Sequence, residues 1–487
     1  MQDANPSHLD LQATAREIMQ RYGFEPDFPA QVSTQLANLG QQPEVSPSRD
    51  VRDLRNLLWS SIDNDTSRDL DQIEVVERTS NGDVKVMVGI ADVDAFAAKL
   101  TPIDQHAARE TTTVYTGIRN FPMLPEQLST GVTSLLENQD RLGVVIEFIV
   151  GSDGNIKSSD VYRALVRNKA QLQYNSVGAW LEGTVAPPPK VAASTELQDQ
   201  LKLQSDVAQK LKSKRFQNGA LNLQTDEVHP LVLNDQVVDV VKQQKNHATE
   251  LIEDFMVAAN GVVARLLQNV SSLRRIVRTP KRWDRIVQLA ATKGEELPAQ
   301  PDSKALNDLL LRRKAADPDH FADLSLAVIK LIGPGEYVLE PAGETAPGHF
   351  GLAVQDYTHS TAPNRRFADV VTQRLIKAML AGQPNPYSDD ELTAVASNCT
   401  QKEDAARKVE REMSKRLAAV AMQRRVGEVF DAIVTGVTDH GTFVRVLQPH
   451  VEGLLAQGAQ GLDVGDKLKA KLIRADVRQG YIDFARV

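Results

Sequence analysis

The chain has 487 residues, 41% of them hydrophobic and 25% charged, which is ordinary for a globular protein. A chain of this length is too long to fold around a single hydrophobic core, so two to four domains are expected. The single cysteine, Cys399, excludes an internal disulfide framework, and the net charge of -8 argues against a general nucleic-acid coat protein without excluding a local basic channel.

The start of the chain predicts a small helical leader over residues 1–48. Helical spacing runs through residues 9–22, residues 29–39 predict a second helix, and a reduced helix-turn-helix is one arrangement open to them. Pro43 and Pro47 predict a linker. The polar first residues lack the apolar core of a signal peptide, and no apolar stretch is long enough for a bilayer, so we predict a cytoplasmic protein without membrane association.

An acidic turn follows the leader and contains Asp63, Asp69 and Asp71. On an extended backbone Asp69 and Asp71 point to one side, and the turn-rich residues 64–67 can fold Asp63 back toward them. Carboxylates held this close repel each other, and a hard divalent cation with oxygen ligands relieves the repulsion. A solvated acidic turn or a helix cap is the alternative interpretation.

The remaining pattern predicts an α+β fold, in which helices flank a mixed sheet. Strands are predicted over 73–77, 84–91, 144–150 and 156–166, with a hairpin turn at 81–83. The acidic turn therefore leads into a buried sheet, which gives it a rigid support. Helices are predicted over 170–181, 196–216, 246–267, 283–292, 304–313, 321–331, 366–380 and 389–424. From residue 426 the spacing of hydrophobic residues returns to a period of two, which is typical of strands. Five short strands are predicted over 427–437, 440–446, 451–455, 464–468 and 481–484.

Several longer motifs occur in a fixed order after the acidic turn. They are IADV at residues 90–93, FPMLPEQLS at 121–129, SLLENQDR at 134–141, ELIEDFMVAAN at 250–260 and YTHSTAPNRRFAD at 357–369. In this order they resemble the catalytic domain of the ribonuclease II and ribonuclease R family. The resemblance implies a catalytic (RNB-type) domain over 49–424. It also implies an RNA-binding OB barrel over 426–487, of the ribosomal-protein S-one type. The leader is too short for the family's paired cold-shock domains, so a short form is expected.

The resemblance implies a 3′-to-5′ hydrolytic exoribonuclease. Its substrate would be single-stranded RNA with a free 3′ end, its products nucleoside 5′-monophosphates, and its cofactor one or two Mg²⁺ ions, with Mn²⁺ as a substitute. No protein partner is implied, and a monomer is expected. The alternative from another class is a catalytically inactive RNA-binding regulator that retains the channel and the barrel; a general metal-dependent DNase is a third, disfavoured interpretation.

The resemblance also assigns residues to the chemistry. Asp63, Asp69 and Asp71 match three of the family's four metal-binding aspartates, with Asp71 most closely tied to the chemical step and Asp69 acting as ligand or orienting group. The fourth position is Gln72, whose amide oxygen can ligate a metal but carries no charge. Asp92 is a candidate substitute, although a structural role is favoured for it. Arg365 matches the arginine that contacts the scissile phosphate, and a structural role is favoured for Arg366.

Further residues match RNA-contacting positions of the family. Tyr115 and Tyr174 match tyrosines near the 3′ nucleotides, Glu253 matches a glutamate at the terminal ribose, and Glu410 matches a glutamate that positions the 3′ end. In the predicted barrel, Phe430 and Phe443 stand where that domain places its base-stacking rings. A core position for one or both rings is an equally weighted alternative.

Overall fold

The computed structural model describes residues 10–39, 50–224, 227–233, 236–243, 245–318 and 320–487. Two helices, α1 (Leu11–Arg21) and α2 (Ala30–Asn38), lie within the predicted helical stretches of the leader. The side chain of Asp10 caps α1 by accepting hydrogen bonds from the first-turn amides. The beginning of the first predicted helix and the linker around Pro43 and Pro47 lie outside the described residues.

A seven-stranded mixed sheet forms the centre of the larger part of the chain. The first nine strands are β1 (Val51–Asp53), β2 (Ser60–Asp63), β3 (Gln72–Arg78), β4 (Val84–Ala91), β5 (Val114–Tyr115), β6 (Asn120–Phe121), β7 (Asp140–Val150), β8 (Ile156–Arg167) and β9 (Ala170–Gln173). The sheet has the order β1-β8-β7-β4-β3-β2-β9, and β5 and β6 form a separate two-stranded ribbon. Only the outer pairs β1–β8 and β2–β9 are parallel. The predicted mixed sheet is confirmed.

Helices surround this sheet, and two further ribbons accompany them. The helices are α3 (Pro102–Glu110), α4 (Tyr174–Leu181), α5 (Pro189–Ala192), α6 (Thr195–Gln217), α7 (His247–Leu266), α8 (Trp283–Thr292), α9 (Ser303–Ala316), α10 (Phe321–Ile332), α11 (Phe367–Leu380) and α12 (Asp389–Gln423). The ribbons pair β10 (Glu227–Leu233) with β11 (Gln236–Gln243), and β12 (Ser272–Ile276) with β13 (Glu336–Glu340). Together these elements confirm the α+β class.

The predicted helix over 170–181 is wrong in its first four residues, which form β9. This strand pairs in parallel with β2, so that Asp63 stands opposite Gln173. A ladder with a neighbouring strand supplies backbone hydrogen bonds that local helical spacing cannot anticipate. The consequence is that α4 begins at Tyr174, beside the end of the strand that carries Asp63.

The core explains why the sheet is rigid where the acidic segment joins it. Every side chain of β4 except Lys85 is buried, and five consecutive residues of β3 from Gln72 are buried as well. Strands covered on both faces read as continuous apolar runs, as residues 86–91 do. Trp59 and Phe148 are fully buried in the same core.

The last part of the chain is a closed five-stranded barrel. Its strands are β14 (Val429–Thr438), β15 (Gly441–Val446), β16 (Val451–Gln457), β17 (Lys467–Asp476) and β18 (Tyr481–Arg486), in the order β14-β15-β16-β18-β17. The predicted fourth strand began too early, because Gly465 has a φ of +98° and makes a turn before β17. Ala419 and Met422, at the end of α12, pack into the barrel core. Among the described residues, no helix combines the length and the apolar character needed to span a bilayer.

Candidate active site

The acidic segment before β3 is held in place by backbone hydrogen bonds. The amide of Leu70 donates to the Ser134 hydroxyl at 2.9 Å, and the amide of Leu135 donates to the Leu70 carbonyl at 3.0 Å. The amide of Ala91, at the end of β4, donates to the Asp71 carbonyl at 3.0 Å. The segment therefore lies between the SLLENQDR loop and the sheet. These hydrogen bonds fix the backbone from which its carboxylate side chains extend.

Asp71 is the most deeply buried of the three aspartates, with 2% of its surface exposed. Its carboxylate accepts a hydrogen bond from the backbone amide of Asn364 at 2.8 Å and another from Nε of Arg365 at 3.3 Å. Burial raises the pKa of Asp71 to about 7, although the Arg365 charge and the Asn364 amide both act to lower it. The YTHSTAPNRRFAD loop thus supplies both partners of this carboxylate.

Asp69 lies within electrostatic range of the guanidinium that contacts Asp71. Burial raises the pKa of Asp69, the charge of Arg365 opposes that rise, and the charge of Asp63 adds to it. The hydroxyl of Tyr115 lies 3.4 Å from Oδ2 of Asp69, and the backbone amide of Tyr115 donates to Glu410 at 3.1 Å. Four of the predicted residues, Asp69, Tyr115, Arg365 and Glu410, therefore lie together with Asp71.

Tyr115 and Arg365 meet because their segments run side by side. The amide of Thr113 donates to the Arg365 carbonyl at 3.0 Å, and the amide of Phe367 donates to the Thr111 carbonyl at 2.8 Å. A cavity of about 400 Å³ opens beside them and is lined by Tyr115, Arg365 and Glu410, among others. The side chain of Arg365 is 47% exposed, so its guanidinium is accessible to an anion.

Arg366 points to a different partner from its neighbour. Its guanidinium donates to both carboxylate oxygens of Asp369, at 2.7 and 2.9 Å, and Asp369 also accepts from the amide of Ala362 at 2.8 Å. The carboxylate of Asp369 is fully buried. This closed arrangement fixes the loop that presents Arg365, in agreement with the structural role favoured for Arg366.

Asp63 terminates β2 and closes the turn that follows. Its Oδ1 accepts hydrogen bonds from the Ser67 hydroxyl and from the backbone amide of Asn64, both at 2.7 Å. Within the described ranges, no three His, Cys, Asp or Glu side chains lie close enough together to hold a metal ion. The three aspartates therefore do not form a closed ligand set. The carboxylates still fit Mg²⁺, which keeps several waters and binds through one or two carboxylates together with substrate phosphates.

The two residues considered for the fourth acidic position lie in different environments. Gln72 is the first residue of β3 and is 7% exposed. Asp92 accepts from Lys377 at 2.8 Å and from Arg163 at 3.3 Å, and its side chain also caps the short turn after β4. Two cations already neutralise Asp92, so its position is that of a structural aspartate.

Tyr174 and Glu253 lie on the helices α4 and α7. Tyr174 directly follows Gln173, which stands opposite Asp63 in the sheet. Burial raises the pKa of Tyr174, and the charges of Asp63 and Glu74 raise it further. Glu253 pairs with Lys245 at 2.8 Å and borders a separate cavity of about 350 Å³ that is lined with basic side chains, including Arg215. The predicted site is thus divided: Tyr174 lies on the Asp63 side, and Glu253 lies beside the second cavity.

The two barrel phenylalanines have different positions. Phe430 is 6% exposed, belongs to the barrel core and meets Phe484 edge-on at 6.5 Å between ring centroids. Phe443 is partly exposed on β15. For Phe430 the core alternative is therefore the one that applies, because a ring packed inside the barrel presents no face to a base. Phe443 remains a candidate for stacking.

Sequence reasoning overlooked two residues of this region. Glu74 is completely buried on β3, and neither of its carboxylate oxygens has a hydrogen-bond partner in the described chain. Burial and the charge of Asp63 raise its pKa well above the ordinary value. Asn364 belongs to the YTHSTAPNRRFAD motif but was given no role, yet its backbone amide donates a hydrogen bond to Asp71. A charged residue inside the apolar run of β3 was the signal that could have identified Glu74.

The sequence pattern of the RNB domain matches residues 51–382, and that of the RNase II-type exonuclease C-terminal S1 domain matches residues 428–487. The chain belongs to the RNB family. Ribonuclease R of Thermotoga maritima is 30% identical over 90% of this chain, and ribonuclease R of Escherichia coli is 30% identical over 88%. The RNB chain described here spans 65% and 54% of the lengths of these two relatives.

Solved structures support the fold of this RNB protein. Mycoplasma genitalium RNase R in complex with ribose methylated single-stranded RNA has a TM-score of 0.88 at 23% identity and covers 98% of this chain and 78% of that one. Yeast Ssd1, described as a pseudonuclease, has a TM-score of 0.69 at 17% identity and covers 91% of this chain and 55% of that one. The fold is therefore shared by a ribonuclease and by a pseudonuclease, so activity depends on the residues of the site and not on the fold alone.

Proposed function

We propose that this RNB protein is a 3′-to-5′ hydrolytic exoribonuclease that degrades single-stranded RNA to nucleoside 5′-monophosphates. The observation that carries the proposal is the contact between Asp71 and Arg365 at 3.3 Å. It lies beside a cavity lined by Arg365, Tyr115 and Glu410, and the Tyr115 hydroxyl approaches Asp69. Acidic groups that can hold a cation and a guanidinium that can hold a phosphate belong together in phosphodiester hydrolysis.

Arg365 is proposed to bind the scissile phosphate. A guanidinium presents several donors in a plane and stabilises the negative charge that grows on the phosphoryl oxygens. Asp71 orients this guanidinium before substrate arrives, and the Arg366–Asp369 pair fixes the loop behind it. Asp63, Asp69 and Asp71, with the amide oxygen of Gln72, are the proposed holders of Mg²⁺. Such an ion supplies hydroxide near neutral pH and neutralises phosphoryl charge.

The remaining proposed contacts concern the RNA. The exposed ring of Tyr115 is available for stacking on a base, since 39% of the residue is accessible. Glu410 holds the backbone of Tyr115 and is proposed to position the 3′ end through it. Tyr174 and Glu253 are proposed to contact the last nucleotides, and Phe443 of the barrel to stack farther along the strand. A cytoplasmic location and Mn²⁺ as a substitute ion remain parts of the proposal.

An inactive RNA-binding regulator is the second candidate, and Gln72 is the observation in its favour. A neutral amide at the fourth acidic position lowers the charge available to a cation. The retained contact between Asp71 and Arg365 favours the enzyme, because a channel that only binds RNA uses basic groups but has no need of a buried carboxylate beside them.

The direction of RNA degradation and the size of its products test the proposal. A 5′-labelled single-stranded RNA, incubated with Mg²⁺, is expected to shorten from its 3′ end with release of mononucleotides. A circular RNA of the same sequence and an RNA blocked by a 3′-phosphate serve as matched substrates, and both are expected to persist. Cleavage of the circle would show an endonuclease, and stable binding without any cleavage would identify the inactive regulator.

A further inference from the structure

The leader helix α1 packs against the two elements that carry Tyr115 and Glu410. Its apolar residues recur at the spacing of one helix face, and Ala15, Ile18 and Met19 are at most 1% exposed. They form a small hydrophobic core, whose other buried members are Phe24, Val114, Phe121, Ala406, Val409 and Met413. The β5–β6 ribbon contributes two of these residues, and α12 contributes the last three. The apolar face of α1 is thus occupied by the chain itself.

The ribbon and α12 each present one side to this core and another to the cavity of the candidate site. Neighbouring residues of a strand point in opposite directions, so Val114 is fully buried in the core while Tyr115 is 39% exposed. On α12, Val409 belongs to the core, and the adjacent Glu410 lines the cavity and accepts from the Tyr115 amide at 3.1 Å. The positions of Tyr115 and Glu410 therefore depend on a core that α1 completes.

Polar contacts at the end of α1 add to this attachment. Arg21, in the last turn of α1, lies 3.1 Å from the carboxylate of Glu412 on α12. The ammonium group of Lys402, also on α12, donates to the Gly23 carbonyl at 2.6 Å. The Arg21 side chain is 51% exposed, and an ion pair in contact with water contributes little to stability. The buried apolar contacts therefore provide most of the attachment between α1 and α12.

We propose that helix α1 is a positioning element, which completes the core that fixes Tyr115 and Glu410 in the wall of the cavity. This inference rests on the proposed exoribonuclease function, in which these two residues contact or position the 3′ end of the RNA. It gives the leader a role that requires no contact between the leader and nucleic acid. Loss of the core contacts of α1 is expected to loosen the ribbon against α12 and to displace the Tyr115 ring.

Hydrogen exchange of the full chain without RNA, measured by mass spectrometry, tests this coupling. Ile18→Ala removes apolar volume from the core of α1, so exchange of the amides in residues 113–121 is expected to become about tenfold faster. Val32→Ala is the matched control, because Val32 is equally buried in the leader but packs in the core of the sheet. It is expected to leave exchange over 113–121 unchanged. Unchanged exchange in Ile18→Ala, or equal acceleration in both variants, would overturn the proposal.

Single-turnover cleavage of single-stranded RNA connects the core to the proposed reaction. At a temperature at which the variants stay folded, Ile18→Ala is expected to slow the release of mononucleotides about tenfold, while Val32→Ala stays within about twofold of the original. An original rate in Ile18→Ala would refute the positioning role. A chain that releases no mononucleotides at all would refute the proposed function, and the exchange measurement would still decide whether α1 fixes Tyr115 and Glu410.

A milder substitution covers the case in which Ile18→Ala does not fold. Ile18→Val removes a single methylene group from the same core and is expected to accelerate exchange over residues 113–121 by about 2- to 10-fold. No acceleration in this folded variant would count against the proposal as directly as in Ile18→Ala.

Discussion

Two adjacent arginines show how single residues divide the work of the site. Arg365 is half accessible, approaches Asp71 at 3.3 Å and borders the cavity. Arg366 donates twice to the fully buried Asp369. The motif in the sequence marks both positions, but only the contacts distinguish the one that meets the substrate from the one that holds the loop.

We expect the two arginines to respond differently to the same substitution. Arg365→Gln should lower the rate of RNA cleavage by about 10²- to 10³-fold, because it removes a donor to the developing charge. Its loss of stability should be smaller than that of Arg366→Gln, because Asp71 keeps the hydrogen bond from the Asn364 backbone amide and, with its pKa raised to about 7, can bind a proton at little cost. Arg366→Gln should lower the free energy of unfolding by about 3–5 kcal/mol, because it leaves Asp369 buried without its cation. Single-turnover cleavage and urea denaturation measure the two effects. Equal loss of stability in both variants would contradict this division.

At the scale of residues, the sequence identified those that belong to motifs and missed those that depart from them. Asp69, Asp71, Tyr115 and Arg365 were predicted and lie together. Glu74 was missed because the alternation of β3 was read as a supporting strand, and burial alone reveals an acid without a partner. The position of Phe430 could not be decided either, because an aromatic residue in a barrel strand fits an inner and an outer face equally well.

Among the elements, the long helix α12 links the site to the barrel. Its 35 residues begin at a capping box formed by Ser388 and Glu391, carry Glu410 beside Tyr115, and end in the barrel core at Met422. The helix therefore joins the residue that contacts Tyr115 to the core of the barrel.

Loss of the helix cap is expected to be measurable. Ser388→Ala removes the hydroxyl that accepts from the Glu391 amide at 3.2 Å, so the free energy of unfolding should fall by about 1 kcal/mol. Ser397→Ala, at an exposed interior position of the same helix, is the matched control and should be neutral or slightly stabilising, since alanine favours helix interiors. Thermal denaturation compares them, and an equal effect of both substitutions would argue against a specific cap.

Element boundaries followed the sequence wherever periodicity alone decides them. The strands β3, β4, β7 and β8 and the helices α7, α11 and α12 lie close to the predicted ranges. Some exceptions are local elements that were not predicted, such as the helix α3, and others depend on distant partners. Residues 170–173 became a strand because β2 is available for pairing, and β12 and β13 were not predicted because each is short and stabilised by the other.

For the whole molecule, the histidines inside the fold predict a response to acid. Burial lowers the pKa of His106 and of His349 to about 4, and it lowers the pKa of His359 well below the ordinary value. In the unfolded chain these groups titrate near pH 6.5. The folded state therefore binds fewer protons, so the stability from each neutral histidine is complete above about pH 6.5 and is lost as the pH falls toward 4.

His106 on α3 isolates this effect, because only 3% of it is exposed. Between pH 6.5 and pH 5, the advantage of the original protein over His106→Leu in free energy of unfolding should shrink by about 2 kcal/mol. Urea denaturation at the two pH values measures the difference. His440→Leu, at an exposed turn before β15, should show no such dependence, and a constant advantage for His106 would contradict its neutral, buried state. Buried carboxyl groups have the opposite effect on stability; burial raises the pKa of Asp254, for example, to about 7. Because these groups are present in both proteins, their effect cancels when the variant is compared with the original.

The central claim is that Asp71, backed by Arg365, acts on RNA at its 3′ end. The most direct test measures mononucleotide release and RNA affinity together in Asp71→Asn. The control is Asp65→Asn, which removes the same charge at an exposed position. Asparagine keeps an oxygen that can accept from the Asn364 amide, so we predict intact folding, an RNA dissociation constant within a few-fold of the original, and release slowed by about 10²- to 10⁴-fold. Release at the original rate, or a loss of binding equal to the loss of rate, would contradict the account.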